Sequence, residues 1–400
     1  MDSRHGGCES GHLHTTALPR TYRRDPRLDQ PPQIITVTFN TAIDRVIEVP
    51  GMAIGGHLPG RQRQRYPAGK GINVSRALAR LGTASVAMGF IGHREQDWFE
   101  RTLTETGPAE VTPTLLPVDG VTRENLTLID PDSGRDMHIR TPGYAVDGQT
   151  VHELASKLHA ALHDAARPRK SQSGYGAAVE PAIVAFCGSL PPGMTARHLA
   201  ELLATVEDAG ARVALDLDGR VLATLIPGER ADRSADAAIP PSAATLWLAK
   251  PNRQELADWV AEATAAETAD VRSTTGEQLF SSKNLIHAAE SLFRHLGMLA
   301  ISLGRDGAWL LTERERWSGR IALDPGREKV VNTVGCGDSM VAGLIDARAR
   351  GLDAAPTLAH ALGCATANAL AAGVAEFDRV QVEDLAQRAE IEQGLRLPSQ

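Results

Sequence analysis

The segment VNTVGCGDSMVAGLI at 331 to 345 sets a carboxylate, Asp338, directly behind a Gly-Cys-Gly turn at the head of a helical pattern. Gly335 and Gly337 let the backbone bend tightly, and the unpaired N–H groups and dipole of a helix start attract an anion such as a phosphoryl group in transfer. A carboxylate at that spot takes a proton from an attacking alcohol, the step that phosphoryl transfer to a hydroxyl requires. The same aspartate also fits a plain helix cap, and spacing alone leaves both readings open.

Other segments offer complementary chemistry. PAGKGINVSRALARLG at 67 to 82 puts Lys70 and Asn73 at a helix start, a cation and an amide suited to sugar hydroxyls or a sugar phosphate, or else a solvated helix end. It is not a Walker loop, because Gln64 and Gly71 stand where that motif needs Gly and Ser or Thr. In LAKPNRQEL at 248 to 256, Asn252 precedes Glu255 by three residues, a pair that either holds the water shell of Mg²⁺ on nucleotide phosphates or forms a capping box. SLGRDGAW at 302 to 309 reads as strand, turn and strand, passing close to a nucleotide or forming an ordinary hairpin. Arg61, Arg63 and Arg65 share one face of an extended segment; guarding a strand edge suits at least two of them better than facing a sugar phosphate.

These residues need a scaffold, and the chain supplies an alternation of strands and helices. Short β-branched or apolar runs occur at 34 to 39, 85 to 90, 182 to 186, 212 to 217, 246 to 250 and 299 to 303. Between several of them lie amphipathic stretches, such as Val74, Ala77, Leu78 and Leu81 at i, i+3, i+4 and i+7, and HLAELLATVEDAG. This pattern implies an α/β fold with a mostly parallel central sheet and helices on both faces. Two regions of shorter, more polar strands, about 41–66 and 113–141, break the rhythm and suggest a small projecting sheet; ENLTLID, PDSG and RDMHIR in the second read as a hairpin. Residues 1–32 read as a disordered tail or as a start codon placed too early, with 33–400 as the folded domain, and Cys8, His12 and His14 in that tail read as no metal site. Stretches near 167–181, 229–244 and 262–283 read as surface insertions.

Composition narrows the partners. With 42% apolar and 23% charged residues in 400, the chain is expected to bury a large core, and its net charge of −7 argues against bulk attraction to nucleic acid or anionic lipid. Four cysteines without metal spacing suggest a reducing cytoplasm, and neither a membrane span nor a signal peptide is expected.

Taken in order, FNTAIDRVIEVPG, AGKGINVSRALARLG, TRENLTLID, CGSLPPGM, KPNRQEL, SLGRDGA and NTVGCGDSMVAG resemble the ribokinase-like (PfkB) carbohydrate kinases, most closely their 1-phosphofructokinase and tagatose-6-phosphate kinase branch, from about Ile34 to about Asp384. The resemblance implies a small β-sheet lid over the sugar, a homodimer joined through the lids, and ATP and Mg²⁺ as cofactors. It implies Asp338 as the base, with the Gly335, Cys336 and Gly337 amides as an anion hole. Asp44, Gly69, Lys70, Asn73 and Arg123 fall at sugar or sugar-phosphate positions. Lys250, Asn252, Ser302, Gly304, Gly307 and Asn368 fall on the nucleotide side, and Glu255 holds Mg²⁺ through water. Lys70 and Arg123 favour an anionic hexose phosphate, because a neutral sugar leaves their charge unpaired in a closed site. Alternatives are a kinase for an unphosphorylated sugar or nucleoside, and a non-catalytic sugar-phosphate sensor. The chain departs from the branch at Thr41, Ala68, Cys336 and Arg140, where Pro, Gly, Ala and an acidic or amide residue are usual. A thiol at a helix start is expected to gain thiolate character, so modification of Cys336 is expected to inhibit.

Overall fold

The computed structural model describes residues 31–166, 180–226, 245–264 and 282–395. The stretch 1–30 and the greater part of the three expected insertions lie outside the described residues. The strands are β1 Ile34–Thr38, β2 Ala42–Glu48, β3 Arg61–Ala68, β4 Ser85–Gly92, β5 Val111–Val118, β6 Arg123–Ile129 and β7 Asp136–Arg140. They continue as β8 Ile183–Gly188, β9 Arg212–Leu217, β10 Leu246–Ala249, β11 Met298–Ser302, β12 Ala308–Thr312, β13 Arg316–Arg320 and β14 Glu390–Gln393. Ten of them form one sheet in the order β14-β13-β12-β11-β10-β9-β8-β1-β4-β5, and β3-β2-β6-β7 form a second, smaller one.

From β11 to β5 the large sheet is parallel; β12, β13 and β14 are added antiparallel at one edge. Both faces are buried, which explains why the parallel strands read as near-continuous apolar runs. In β1, Ile35 and Val37 join one core cluster while Ile34 joins the other, and β8 repeats the split with Val184 and Phe186 against Ile183, Ala185 and Cys187. The first cluster is completed by helices α3 (Gly148–Ala166), α4 (Ala196–Asp208), α5 (Gly219–Leu225), α6 (Arg253–Thr264) and α7 (Ser282–Phe293). The second is completed by α1 (Lys70–Leu81), α8 (Cys336–Ala349), α9 (Ala354–Leu370) and α10 (Arg379–Gln387). Val74, Ala77, Leu78 and Leu81 are all buried there, as their spacing predicts. The remaining helix, α2 (Gln96–Thr104), packs Phe99 and Leu103 into a third cluster with Ile43 and Ile72.

The small sheet contains the expected hairpin: β6 and β7 pair from Asn125 with Arg140 to Ile129 with Asp136, and Asp130 holds the intervening turn through the Asp132 N–H and the Ser133 hydroxyl. One boundary is corrected. Residues 113–118, grouped in sequence with the small sheet, pair with β4 along the edge of the large one, because Val111, Leu115, Leu116 and Val118 point into its cores. Tyr144 locks the junction between the sheets: its hydroxyl accepts from the Thr41 N–H at 2.9 Å and lies 2.9 Å from the Phe90 carbonyl. Thr41, in place of the usual proline, supplies that N–H.

Candidate active site

Strand order reverses at β1, with β4 on one side and β8 on the other, and ligands of open α/β sheets bind outside the carboxyl ends of strands at such a switch point. Lys70 sits there. Gly69 before it adopts φ 119°, and a side chain at that position would meet Thr38 at the end of β1, so the helix starts close against the strand ends. The Lys70 stem lies against Gly188 at the end of β8.

Around Lys70 the strand ends deliver a compact set of charges. Its Nζ donates to Asp216 Oδ1 on β9 at 3.3 Å and to Glu255 Oε1 on α6 at 3.1 Å. Lys250, directly after β10, places its own Nζ 3.3 Å from the same Asp216 oxygen. Burial pushes the Asp216 carboxyl up, but the two ammonium groups outweigh it and hold the group below the usual carboxylate range. Lys70 moves the other way: burial disfavours its charge, yet Asp216, Glu255 and Asp338 together raise it above the ordinary lysine range. Lys70 was expected on the sugar side; its ion-pair partners are Asp216 on β9 and Glu255 on the first turn of α6.

Asp338 stands on the first turn of α8, behind Gly335 at φ 79°, where a side chain would collide with Val374. The first amides of the helix have no intrahelical partner, and Gly337 lies against the Lys250 ammonium, so amides and cation face one region. Asn73 Nδ2 donates to Asp338 Oδ2 at 2.7 Å, bringing the two glycine motifs together. Burial, followed by the negative charge of Asp216, pushes Asp338 up to about 6, against the pull of Lys70, Asn73 and Lys250. A carboxyl held near neutrality beside a helix start is equipped to accept a proton. The capping reading of Asp338 is not what the structure shows, because the N-cap is Gly335 and no side chain caps the helix.

Asn252 and Glu255 form the capping box: Glu255 N–H donates to Asn252 Oδ1 and Asn252 N–H to Glu255 Oε2, both at 2.8 Å. Because the box uses Oε2, Oε1 remains for Lys70. Asn252 also bridges to Ser302, which brings the loop after β10 beside the turn containing Gly304 and Gly307. Arg253 reinforces that approach through Asp306 at 3.1 Å.

Two expectations change. Asn368 was expected to touch nucleotide, but it is fully buried and its amide is consumed: Nδ2 donates to the Val334 carbonyl, and Oδ1 accepts from the Ala375 N–H and the Ser339 hydroxyl. It staples the loop before α8 to α9. Cys336 was expected to gain thiolate character, yet burial pushes its thiol up, only partly opposed by Asn368 Nδ2 at 3.4 Å.

On the small sheet, register aligns Tyr66, Asp44, Asn125 and Arg140 across all four strands. Asn125 donates to Asp44 at 2.7 Å, while burial raises the Asp44 carboxyl against the influence of Asn125, Arg76, Arg123 and Arg140. Arg123 reaches the Asn40 carbonyl at 3.1 Å, but its buried Nε has no hydrogen-bond partner. The Asn73 and Asn125 side-chain carbonyls are likewise buried without a partner. Arg76 lies over the Tyr66 ring at 4.8 Å, tying this row to the same helix that carries Lys70 and Asn73. Of the three alternating arginines, Arg63 pairs with Glu48, Arg65 lies over Trp98, and Arg61 is exposed on edge strand β3.

Sequence reasoning missed Asp216, the carboxylate that two lysines share. Its one signal was an acidic residue near the end of the apolar stretch that follows Arg212 in RVALDL. Asn125 carried none, since an asparagine in a short polar strand is unremarkable until register sets it beside Asp44.

The model of the pfkB family carbohydrate kinases matches residues 37–379. A 1-phosphofructokinase of Rhodobacter capsulatus is 30% identical over 326 residues, 81% of this chain and 86% of that protein. One from Xanthomonas campestris is 32% identical, covering 84% of this chain and 89% of its own. The fold matches phosphofructokinase-2 from Escherichia coli in complex with substrates and products, with a TM-score of 0.68 at 22% identity over 88% of this chain and 98% of that one. The family match over residues 37–379 and these relatives show the kinship of the whole chain: it belongs to the pfkB family of carbohydrate kinases.

Proposed function

We propose that this kinase transfers the γ-phosphoryl group of ATP to a hydroxyl of a hexose phosphate of the fructose 1-phosphate or tagatose 6-phosphate type, with Asp338 as general base. The observation that carries the reading is the Asp338 carboxyl, oriented by Asn73 beside the Lys70 and Lys250 ammonium groups and the amides of a glycine turn. Asn73 engages one carboxylate oxygen and leaves the other to take the proton. As the sugar O–H bond breaks, its oxygen bonds to phosphorus and the bond from phosphorus to the ADP oxygen breaks. Lys70, Lys250 and the Gly335, Cys336 and Gly337 amides face the charge that develops.

The buried Asp216 Oδ2, without a hydrogen-bond partner, is an oxygen donor that fits Mg²⁺, a hard cation that keeps several waters and phosphate oxygens, and Glu255, whose oxygens already accept from Asn252 and Lys70, would hold the ion through water. When bound, that ion neutralises nucleotide phosphate charge. Lys250, Asn252, Ser302, Gly304 and Gly307 line the nucleotide side.

An anionic substrate is favoured over a neutral one by Arg123 and Arg140, which crowd the single Asp44 carboxylate, with Arg123 Nε unsatisfied. Sugar hydroxyls suit the unpartnered carbonyls of Asn73 and Asn125. The names of the 1-phosphofructokinase relatives support the same choice. The small sheet acts as a lid that excludes water, a competing acceptor. Its other face carries Ile47, Leu126, Leu128, Met137 and Ile139, with Met137 and Ile139 both more than 40% exposed, which supports a homodimer joined through the lids. No helix among the described residues is long and apolar enough to cross a membrane, and we assign the cytoplasm as the working compartment. The test is ADP release with MgATP across fructose 1-phosphate, fructose 6-phosphate, tagatose 6-phosphate, neutral hexoses and nucleosides. Turnover confined to phosphosugars supports the proposal; turnover only on neutral acceptors overturns it.

A further inference from the structure

The groups assigned to catalysis sit on the starts of α1 and α8, and their alignment depends on how these helices are held along their length. The contact between α8 and α9 is close. A side chain at Gly343 would collide with the Ala361 backbone and Cys364, and the facing run of α9 is rich in Ala and Gly. Small side chains at that point offer few ridges, so directional contacts elsewhere along the helices add to the register that packing sets.

A buried polar cluster lies at the opposite end of this contact. Asp346, two turns along α8 from Asp338, is almost fully buried. Its Oδ1 accepts from the Thr83 hydroxyl, just beyond the end of α1. Its Oδ2 accepts from His360 Nε2 on α9 at 2.8 Å, and Arg350 lies 3.4 Å from the same oxygen. Arg350 also lies 3.7 Å from Glu383 on α10. Burial pushes the Asp346 carboxyl up, but His360, Thr83 and Arg350 outweigh it and keep it ionised. One carboxylate thus joins α8 directly to α1 and α9, and through Arg350 to α10. A buried charge of this kind contributes little net stability, and register is its best-attested structural role. Hydrogen bonds are directional, so they add to the register of the helices what apolar packing alone does not specify.

We infer that Asp346 and His360 are positioning residues that lock α1 and α9 in register on α8 and thereby hold Asn73 against Asp338. The inference rests on the reading of Asp338 as the base. Helices are stiff over the distances involved, about 15 Å from Thr83 to Asn73 and about 12 Å from Asp346 to Asp338 at 1.5 Å per residue. A slip at the cluster is therefore delivered to the reacting groups.

The test combines Asp346→Asn, His360→Gln and Asn73→Ala in double-mutant cycles, with Thr83→Val as a milder probe should the first two fold poorly. Asp346→Asn and His360→Gln are expected to lower kcat about tenfold, as a displacement of a fraction of an ångström does, with KM for ATP within about twofold. Adding either to Asn73→Ala is expected to cost much less than the product of the single losses, because both break the same alignment. A second readout needs no turnover: in ¹⁵N spectra the Asn73 side-chain amide signals are expected to move in Asp346→Asn and Thr83→Val toward those of a solvated asparagine. Unmoved Asn73 signals, with multiplicative losses or an unchanged kcat, overturn the inference. If the wild type phosphorylates no sugar, the functional reading fails while the Asn73 spectra still decide the helix register.

Discussion

Asn73 Nδ2 donates to Asp338 Oδ2 at 2.7 Å, joining side chains 265 residues apart in the chain. This bond and the nearby ammonium groups pull the Asp338 carboxyl down, while burial and Asp216 push it up, leaving it at about 6. A protonated Asp338 cannot accept the hydroxyl proton, so kcat/KM is expected to fall as pH drops through about 6. Asn73→Ala removes a downward influence. Its acid limb is expected to lie higher than that of the wild type, with kcat reduced about tenfold or more, the worth of one hydrogen bond to a charged group. An unmoved acid limb in a pH–rate profile would contradict the role given to Asn73.

The same shift has a consequence for stability. Folding raises Asp338 from its ordinary 3.8 to about 6, so the folded state binds its proton more tightly than the unfolded one. The cost of keeping it ionised is full above pH 6, shrinks as pH falls through 6, and vanishes below about 4. Asp338→Asn is therefore expected to be more stable than wild type at pH 7.5 by about 1–3 kcal/mol, with the gap closing toward pH 4. Thermal melts across that range check it, and a variant less stable at pH 7.5 would contradict it.

Cys336 is expected to be a slow thiol. Burial holds it above the ordinary cysteine range, so iodoacetamide at pH 7.5 should modify it more slowly than free cysteine. Because the anion hole uses backbone amides, Cys336→Ala, which removes only the weak thiol contacts with Asn332 and Asn368, should keep kcat within a factor of about three. Rapid alkylation, measured by mass spectrometry, would restore the expectation drawn from its place at a helix start.

The exposed Met137 and Ile139 are expected to lie in the contact between lids. Replacing both with glutamate should convert a dimer into a monomer in light scattering coupled to gel filtration, and raise KM for the sugar. A wild type that is monomeric at micromolar concentration would overturn the lid-mediated dimer.

The large sheet and its helices were legible because burial of both faces writes itself into the sequence as apolar runs separated by 3.6-residue patterns. IITVTF, RVALDL and LAISL each became a strand within a residue or two of the expected bounds. The edge strand Val111–Val118 was misassigned because its prolines at 113 and 117 and partial exposure imitate the polar strands of the small sheet. Within the site, glycine turns announced Asp338, Lys70 and Asn73, since tight turns before helices leave local signatures. What remained hidden depended on long-range register: Asp216 between two lysines, Asn125 against Asp44, and the buried amide of Asn368. The direction of the Cys336 shift was hidden too, because helix position is local and burial is not.

If Asp338 takes the proton from a phosphosugar hydroxyl as phosphate leaves ATP, removing its carboxylate must slow the transfer itself. The most direct measurement is ³¹P NMR of fructose 1-phosphate with MgATP, comparing wild type with Asp338→Asn at matched folding and pH 7.5. A new sugar bisphosphate signal and ADP are expected with the wild type, and a rate lower by about 10²–10⁴-fold in the variant, the usual contribution of a positioned general base. A variant that forms the bisphosphate at the wild-type rate would contradict it.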